Sequence, residues 1–232
     1  MISVIVPSFN EEERIDGCLA SLTHQTIPRN QYEIIVVDGG SKDNTRMIAE
    51  KYADSVFIQT SLKVGGARND GAAVAKGDIL VMTDADTYLP PDWLERIGRG
   101  FIQPEVVMLY GLVWPIERTI KNWFYLFLAN TFSGIGYLTG TIYFTLGCNS
   151  AFRRDAFIQA GMYRVSDAGD DLEIAHRMRK IGKIRFDCRL WVGFSMRRYD
   201  QFGALKSVYE WFYIVFHGGD VDKYAYTRRD YK

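Results

Sequence analysis

Cysteine and histidine are scarce in this chain, which holds three of each among 232 residues. Cys18, Cys148 and Cys188 stand far apart with no metal-ligand spacing, so a thiolate metal centre is excluded and reduced residues in or near a core are expected, in a cytosolic compartment. His24, His176 and His217 show no ligand spacing either. They read as residues near a helix end, on a helix face and near the last helix terminus, and none is given a catalytic role. Net charge is missing too: Lys+Arg and Asp+Glu both number 28. A balanced chain lacks the basic field that bulk nucleic-acid binding needs. No basic leader precedes the apolar opening Ile2–Val6, so no signal peptide is expected. There are no internal repeats and no low-complexity linkers. With 47% hydrophobic residues the chain can build one large domain, with or without a small extension.

Charge is absent altogether from Asn122 to Phe152, a stretch that includes Trp123, Phe124, Tyr125, Phe127, Phe132, Tyr137, Tyr143 and Phe144. The length would suit a membrane-spanning helix of about 20 residues, but Gly134, Gly136, Gly140 and Gly147 interrupt it. A helix lying against a membrane, or buried in the protein, is favoured over a span. An ordinary buried helix and strand is the competing reading. A second aromatic run, Tyr209–Phe216, adds to the expectation of a membrane interface, where Trp and Tyr are favoured.

What is present is an alternation. Ile2–Val6, Glu33–Val37, Val56–Gln59 and Asp78–Met82 read as strands. Glu11–Thr23 (Asn10 as N-cap), Lys42–Tyr52 (introduced by Ser41), Gly66–Lys76 and Pro91–Phe101 read as helices. Strands alternating with helices predict βαβ units and a mainly parallel sheet. The second half is less regular. Val106–Trp114, Cys148–Arg153, Ile184–Phe186 and Leu190–Phe194 read as strands; Asp155–Ala160, Asp170–Ile181 and Phe202–His217 read as helices; the tail from Asp222 is charged. Ligands of such sheets bind beyond the carboxyl ends of the strands. Asp38, Asp84 and Asp86 fall there, three carboxylates on one rim.

The most informative stretch is Leu80-Val81-Met82-Thr83-Asp84-Ala85-Asp86. Residues i and i+2 of an extended chain face the same side, so Asp84 and Asp86 can share a divalent ion of the Mg²⁺ or Mn²⁺ type. Aspartates also form turns and cap helices, so the motif alone is weak. The Gly65-Gly66-Ala67-Arg68 turn opens a helix whose free N–H groups suit phosphate, or it is a tight turn for close packing. Asp170-Asp171 opens another helix, where acids are favoured anyway; adjacent carboxylates also raise one pKa toward the range of a general base. Arg153-Arg154 and Arg197-Arg198 are paired cations for acceptor or phosphate contacts, or else solvated surface.

Taken together, four separated segments resemble the family 2 glycosyltransferases with the GT-A fold. They are Val6-Pro7-Ser8-Phe9-Asn10-Glu11-Glu12; Ile35 to Thr45 around Asp38-Gly39-Gly40-Ser41; Gly65 to Asn69 leading through Gly77-Asp78 to Asp84-Ala85-Asp86; and Gly147 to Arg154 followed by Gly169-Asp170-Asp171-Leu172-Glu173. Order and spacing match over roughly residues 1–200. The resemblance implies a Rossmann-like, mainly parallel α/β sheet flanked by helices. Residues 1–115 would form the nucleotide-sugar half, 116–221 the acceptor half with membrane-interface helices, and 222–232 a charged tail. It also implies inverting, metal-dependent transfer of a sugar from a UDP- or GDP-linked donor; the basic pairs joined to the aromatic stretches point to a lipid-linked phosphate or saccharide acceptor, with a soluble transferase acting on a hydroxyl as the alternative. A polyprenyl-phosphate mannosyltransferase is one concrete version, and a transferase extending a lipid-linked glycan another. Pro7, Phe9 and Glu11 would line the nucleoside pocket, with Val37, Arg68 and Ala85 also on the donor side. Asp38 would accept from the base, Asp84 would reach ribose or metal, Asp86 would hold the metal, and Asp171 would be the base, with Asp170 beside it. Two positions depart from the family pattern: Gly39 stands where many members carry a second acid, and Asp170-Asp171 replaces the usual Glu-Asp. Two other classes compete with this reading. A nucleotidyltransferase should carry a basic Gly-rich loop after the first strand, where this chain has acidic Ser8-Phe9-Asn10-Glu11. A non-catalytic nucleotide-sugar-binding module would be expected to have lost Asp86 or Asp171. The expected location is the cytoplasm, at the cytoplasmic face of a membrane.

Overall fold

A computed structural model describes residues 1–140, 147–166, 169–197 and 213. The expected Phe202–His217 helix, the Tyr209–Phe216 run apart from Tyr213, the charged tail, Arg198, Tyr143 and Phe144 lie outside the described residues.

The chain opens with β1 (Ile2–Ser8), α1 (Ile15–Thr23), β2 (Tyr32–Asp38), α2 (Thr45–Ala49), β3 (Ser55–Ile58), α3 (Lys63–Val74), β4 (Ile79–Met82) and α4 (Trp93–Gly100). It continues with β5 (Val106–Pro115), α5 (Ile120–Thr139), β6 (Ser150–Arg153), α6 (Arg154–Gln159), α7 (Asp170–Met178) and β7 (Lys183–Phe194). One seven-stranded sheet runs in the order β3-β2-β1-β4-β6-β5-β7. Its first four neighbours are parallel; β6 runs antiparallel to both β4 and β5; β5 and β7 are parallel. The sheet therefore runs without a break through the first and second parts of the chain.

Alternation along the strands divides the core. Ile2, Val4 and Val6 of β1 face one side, with Leu19 and Leu22 of α1 and Leu94 and Ile97 of α4. Ile5 faces the other, with Ala67 of α3, Phe157 of α6 and Ile174 of α7. This is the period-2 pattern of a sheet covered on both faces. Gly71 of α3 permits the close approach on that second side, because a Cβ there would strike the Ile5 side chain.

Several element ends differ from expectation, each for a local reason. Asn10 does not cap a helix. It adopts positive φ (53°), and its side chain accepts the Lys42 N–H across the rim, so α1 starts only at Ile15. Ser41 is spent on Asp38, and α2 is short, with Asp43 accepting the Thr45 N–H at its start. Pro91 lies before α4, whose Trp93 N–H donates to the Pro90 carbonyl. The two short strands expected after Lys183 are one strand, β7, whose pairing with β5 jumps between Gly111 and Leu112. Gly111 makes the jump possible: any Cβ there would collide with the Leu190 carbonyl oxygen.

Candidate active site

The carboxyl ends of β1, β2 and β4 lie side by side, since Ser8 pairs with Asp38 and Ile5 with Met82. Asp84 and Asp86 follow β4 in a turn rather than on extended backbone, closed by a Thr87 N–H bond to the Asp84 carbonyl (3.2 Å). Each carboxylate therefore meets its own cation. Asp84 Oδ1 accepts from Arg68 Nη2 at 3.1 Å, and Asp86 Oδ2 from Arg197 Nη2 at 3.4 Å. Arg197 also holds Glu11 Oε1 at 2.6 Å, so the loop after β1 and the segment after β7 close on the same turn.

Arg68 is the hub of the second cluster. Only 3% exposed, it projects from α3 and donates through Nη1 to Asp170 Oδ2 (3.3 Å) and Asp171 Oδ1 (3.1 Å), besides its bond to Asp84. The Tyr163 ring lies under its guanidinium at 5.4 Å, a favourable seat for a buried cation. Asp171 Oδ2 accepts the Gly147 N–H at 3.0 Å. Gly147 has to be glycine, because a Cβ would occupy the place of the Arg68 guanidinium. One guanidinium thus ties the Asp84 turn after β4 to the Asp170-Asp171 start of α7. Sequence spacing of 102 and 103 residues gave no sign of these contacts.

The carboxylates outnumber the cations, and their protonation reflects it. Burial pushes Asp86 up to about 7, reinforced by the charges of Asp84 and Glu11 and opposed by Arg197. Burial also raises Glu11, with Arg197 pulling it back; its second oxygen, Oε2, is buried without a hydrogen-bond partner. Asp171 is raised above the ordinary carboxylate range by burial first and by Asp170 next, with Arg68 opposing. Asp170 is raised by burial, again against Arg68.

The residues of this turn that could hold a divalent ion are Asp84 and Asp86, each now bonded to an arginine. Among the described residues no group of three or more His, Cys, Asp or Glu side chains is arranged to enclose a metal. Such an ion would take carboxylate oxygens of Asp84 and Asp86 and complete its shell with water and phosphate oxygens, the habit of Mg²⁺.

Other expected residues fall in different places. Pro7 and Phe9 are half-buried on the rim beside Asp38. Asp38 itself is fully buried, and its carboxylate accepts the Gly40 and Ser41 N–H groups (2.9 and 2.8 Å) and the Ser41 hydroxyl (2.5 Å). It shapes the loop with the oxygens expected to meet a base. Gly39 explains its own departure from the family pattern: a Cβ would press on the Phe9 ring at 3.1 Å. Val37 and Ala85 are buried among core side chains. Arg153 and Arg154 are not brought to the rim. Arg153 faces Ile79 at the opposite end of the sheet, where it donates to the Val106, Phe101 and Gln103 carbonyls. The Arg154 N–H meets the Asp78 carbonyl there. Sequence reasoning missed Glu117, which accepts from Arg14 Nη1, Ser195 Oγ and the Met196 N–H and so holds the segment that carries Arg197.

The sheet order, the aspartate turn beyond β4 and the acid pair at α7 define the GT-A class of α/β fold. The sequence profile of Glycosyl transferase family 2 matches residues 3–161, and the chain belongs to that family. It is similar to Glycosyltransferase AglE of Haloferax volcanii, 41% identical over 127 residues, which cover 52% of this chain and 41% of AglE. It is also similar to Poly(ribitol-phosphate) beta-glucosyltransferase of Bacillus spizizenii, 38% identical over 102 residues, 41% of this chain and 16% of that protein. Among solved structures, S. aureus TarS 1–349 in complex with UDP-GlcNAc superposes with a TM-score of 0.67 at 21% identity, over 84% of this chain and 58% of that one. Mannosyltransferase PcManGT from Pyrobaculum calidifontis, in complex with GDP-Man and Mn²⁺, gives 0.64 at 21% identity, over 83% and 56%. The chain thus spans less than half the length of AglE and of the Bacillus spizizenii glucosyltransferase.

Proposed function

We propose that this chain transfers a sugar, with inversion, from a UDP- or GDP-linked donor to a hydroxyl or lipid-phosphate acceptor. The observation that carries this reading is the Arg68 clasp, which holds the Asp84 turn against the Asp170-Asp171 pair. Donor phosphates would lie at the first and the acceptor at the second. The GDP-Man and Mn²⁺ of PcManGT and the UDP-GlcNAc of TarS support a nucleotide-sugar and a divalent ion here.

Asp84 and Asp86 would hold Mg²⁺ or Mn²⁺, which when bound supplies Lewis-acid stabilisation of the leaving diphosphate. Pro7, Phe9 and the loop shaped by Asp38 would flank the nucleoside. Arg197 would exchange Asp86 for the diphosphate as the turn fills, keeping its bond to Glu11. Asp171 would act on the acceptor. As the acceptor oxygen bonds to the anomeric carbon, the bond from that carbon to the diphosphate oxygen breaks and its electron pair leaves with the nucleoside diphosphate. The hydroxyl proton passes to Asp171, whose raised pKa suits proton transfer nearer neutral pH. A phosphate acceptor, already ionised, would need no such base. The free thiols of Cys18, Cys148 and Cys188 support a reducing, cytoplasmic setting.

The test is Asp171→Asn, which keeps size and removes basicity. With a hydroxyl acceptor, turnover is expected to fall about 10²-fold or more, while donor affinity stays within a few-fold. Unchanged turnover with a hydroxyl acceptor would remove Asp171 from this role. In the wild type, the rate with that acceptor should fall as acid protonates Asp171, at a higher pH than for an ordinary carboxylate.

A further inference from the structure

Helix α5 is built inside out. A surface helix normally turns its apolar stripe to the core and its polar face to water. Here the side against β5 is polar or small: Asn122, Asn130, Ser133 and Gly136 are buried, with Leu126 the lone large apolar side chain among them. Asn130 fastens that face by donating to the Val113 carbonyl (2.8 Å) and accepting the Val113 N–H (3.1 Å), which satisfies β5 in mid-strand. The outward side carries Ile120, Phe124, Phe127, Ile135 and Leu138, with Ile120 92% and Leu138 83% exposed, while Trp123 at its margin stacks on Trp114 of β5 (4.9 Å). A contiguous apolar patch of this extent marks an interaction surface.

We infer that the outward face of α5 docks on an anionic lipid surface, with the helix lying in the plane of the headgroups. Charge placement selects this occupant. No charged residue interrupts the face from Asn122 to Thr139, yet cations stand at both ends of the helix. Arg118 and Lys121 are exposed at its start. At its finish, exposed Arg179 donates to the Gly140 carbonyl, with exposed Lys180 next to it. The nearest acid in sequence, Glu117, is turned inward onto Arg14, Ser195 and Met196. Apolar and aromatic side chains between basic ends are the pattern of an interfacial helix. A second copy suits the surface poorly. Antiparallel pairing about α5 would set Arg118 and Lys121 against Arg179 and Lys180, and parallel pairing would set each basic end against itself; like charges in register oppose association. Among the described residues no helix is long and apolar enough to cross a membrane, so the contact is with a surface. The inference goes beyond sugar transfer and does not rest on it. Should both hold, α5 starts beside Glu117, which anchors the Arg197 segment, so lipid would meet the protein next to the catalytic rim.

The experiment is co-sedimentation of the full chain with vesicles of phosphatidylglycerol and phosphatidylcholine, and of phosphatidylcholine alone. Binding is expected to be stronger to the anionic vesicles and to weaken with salt. Phe124→Ser with Phe127→Ser changes exposed residues only, so the fold should persist, as checked by circular dichroism. Partition of that double variant should drop about tenfold or more, from the apolar area lost. Arg118→Glu with Lys121→Glu should erase the preference for anionic lipid. Three results would overturn the proposal: a wild type that binds no vesicle, a Phe124/Phe127 variant that binds undiminished, or a wild-type dimer that this variant splits. Calorimetric titration of the same variant with nucleotide-sugar reports on the donor site separately, so failure of lipid docking and failure of the catalytic reading are told apart.

Discussion

At the scale of single residues, the site depends on a few atoms with no spare room. Asp86 lies beyond the end of β4, so Asp86→Ala should leave the fold intact while calorimetry shows loss of metal-dependent nucleotide-sugar binding. Unchanged, metal-independent affinity would remove Asp86 from the metal site. Gly147→Ala inserts a methyl where the Arg68 guanidinium lies. Overpacking of this kind costs about 1–3 kcal/mol, and thermal unfolding should show it together with a fall in turnover. The acidic members of the site were legible in sequence because their motifs are local: Asp84-Ala85-Asp86 and Asp170-Asp171 are each contiguous. The cationic members were legible only as residue types. Arg153 and Arg197 look alike in the chain, yet one holds backbone carbonyls at the far end of the sheet and the other holds Glu11 and Asp86. Only long-range packing separates them.

At the scale of elements, the existence and order of most described strands and helices follow from periodicity, and their ends do not. The rim loops after β1 and β2 bond to each other: Asn10 with Ser41 and Lys42, and Glu12 with Asp43 and Asn44. Asn10 and Ser41 have the chemistry of helix caps, which is why the sequence alone places them at helix starts. A similar turn precedes α3, where the Asp70 carboxylate accepts the N–H groups and hydroxyls of Thr60 and Ser61. Burial alone would raise Asp70, but the Ser61 and Thr60 bonds outweigh it and lower its pKa. A carboxyl lowered in the folded state contributes stability above its unfolded pKa and loses it as pH falls through the folded value. Asp70→Asn should therefore cost about 1 kcal/mol near neutral pH, and wild type and variant should converge in denaturant titrations carried out below pH 3.8, the ordinary Asp value. A constant gap across that range would place the loss elsewhere than in the charge.

At the scale of the whole molecule, a parallel sheet was legible from the strand–helix alternation of the first half, and its completion was not. The second half looked irregular because its strands serve one another across long separations: β6 inserts between β4 and β5, and β7 joins β5 after α5, α6 and α7. The described residues of the expected donor half, 1–115, and of the expected acceptor half, 116–221, share one sheet and one ion-pair cluster. Within the charge-free stretch, expected to be a membrane-facing or buried helix, α5 turns polar groups inward and aromatic side chains outward, a division the residue types alone do not reveal.

The insertion of β6 also bears on how the chain is made. A ribosome releases β1 to β4 well before the strand that covers the open edge of β4, since Ile79 pairs with Arg153, some 70 residues later. At about 5–20 residues per second, that edge waits roughly 4 to 15 seconds with its Ile79–Met82 backbone unpaired on one side. During synthesis the nascent amino-terminal half is thus a sticky intermediate, and slowing translation between Met82 and Ser150 should raise its capture by strand-binding chaperones.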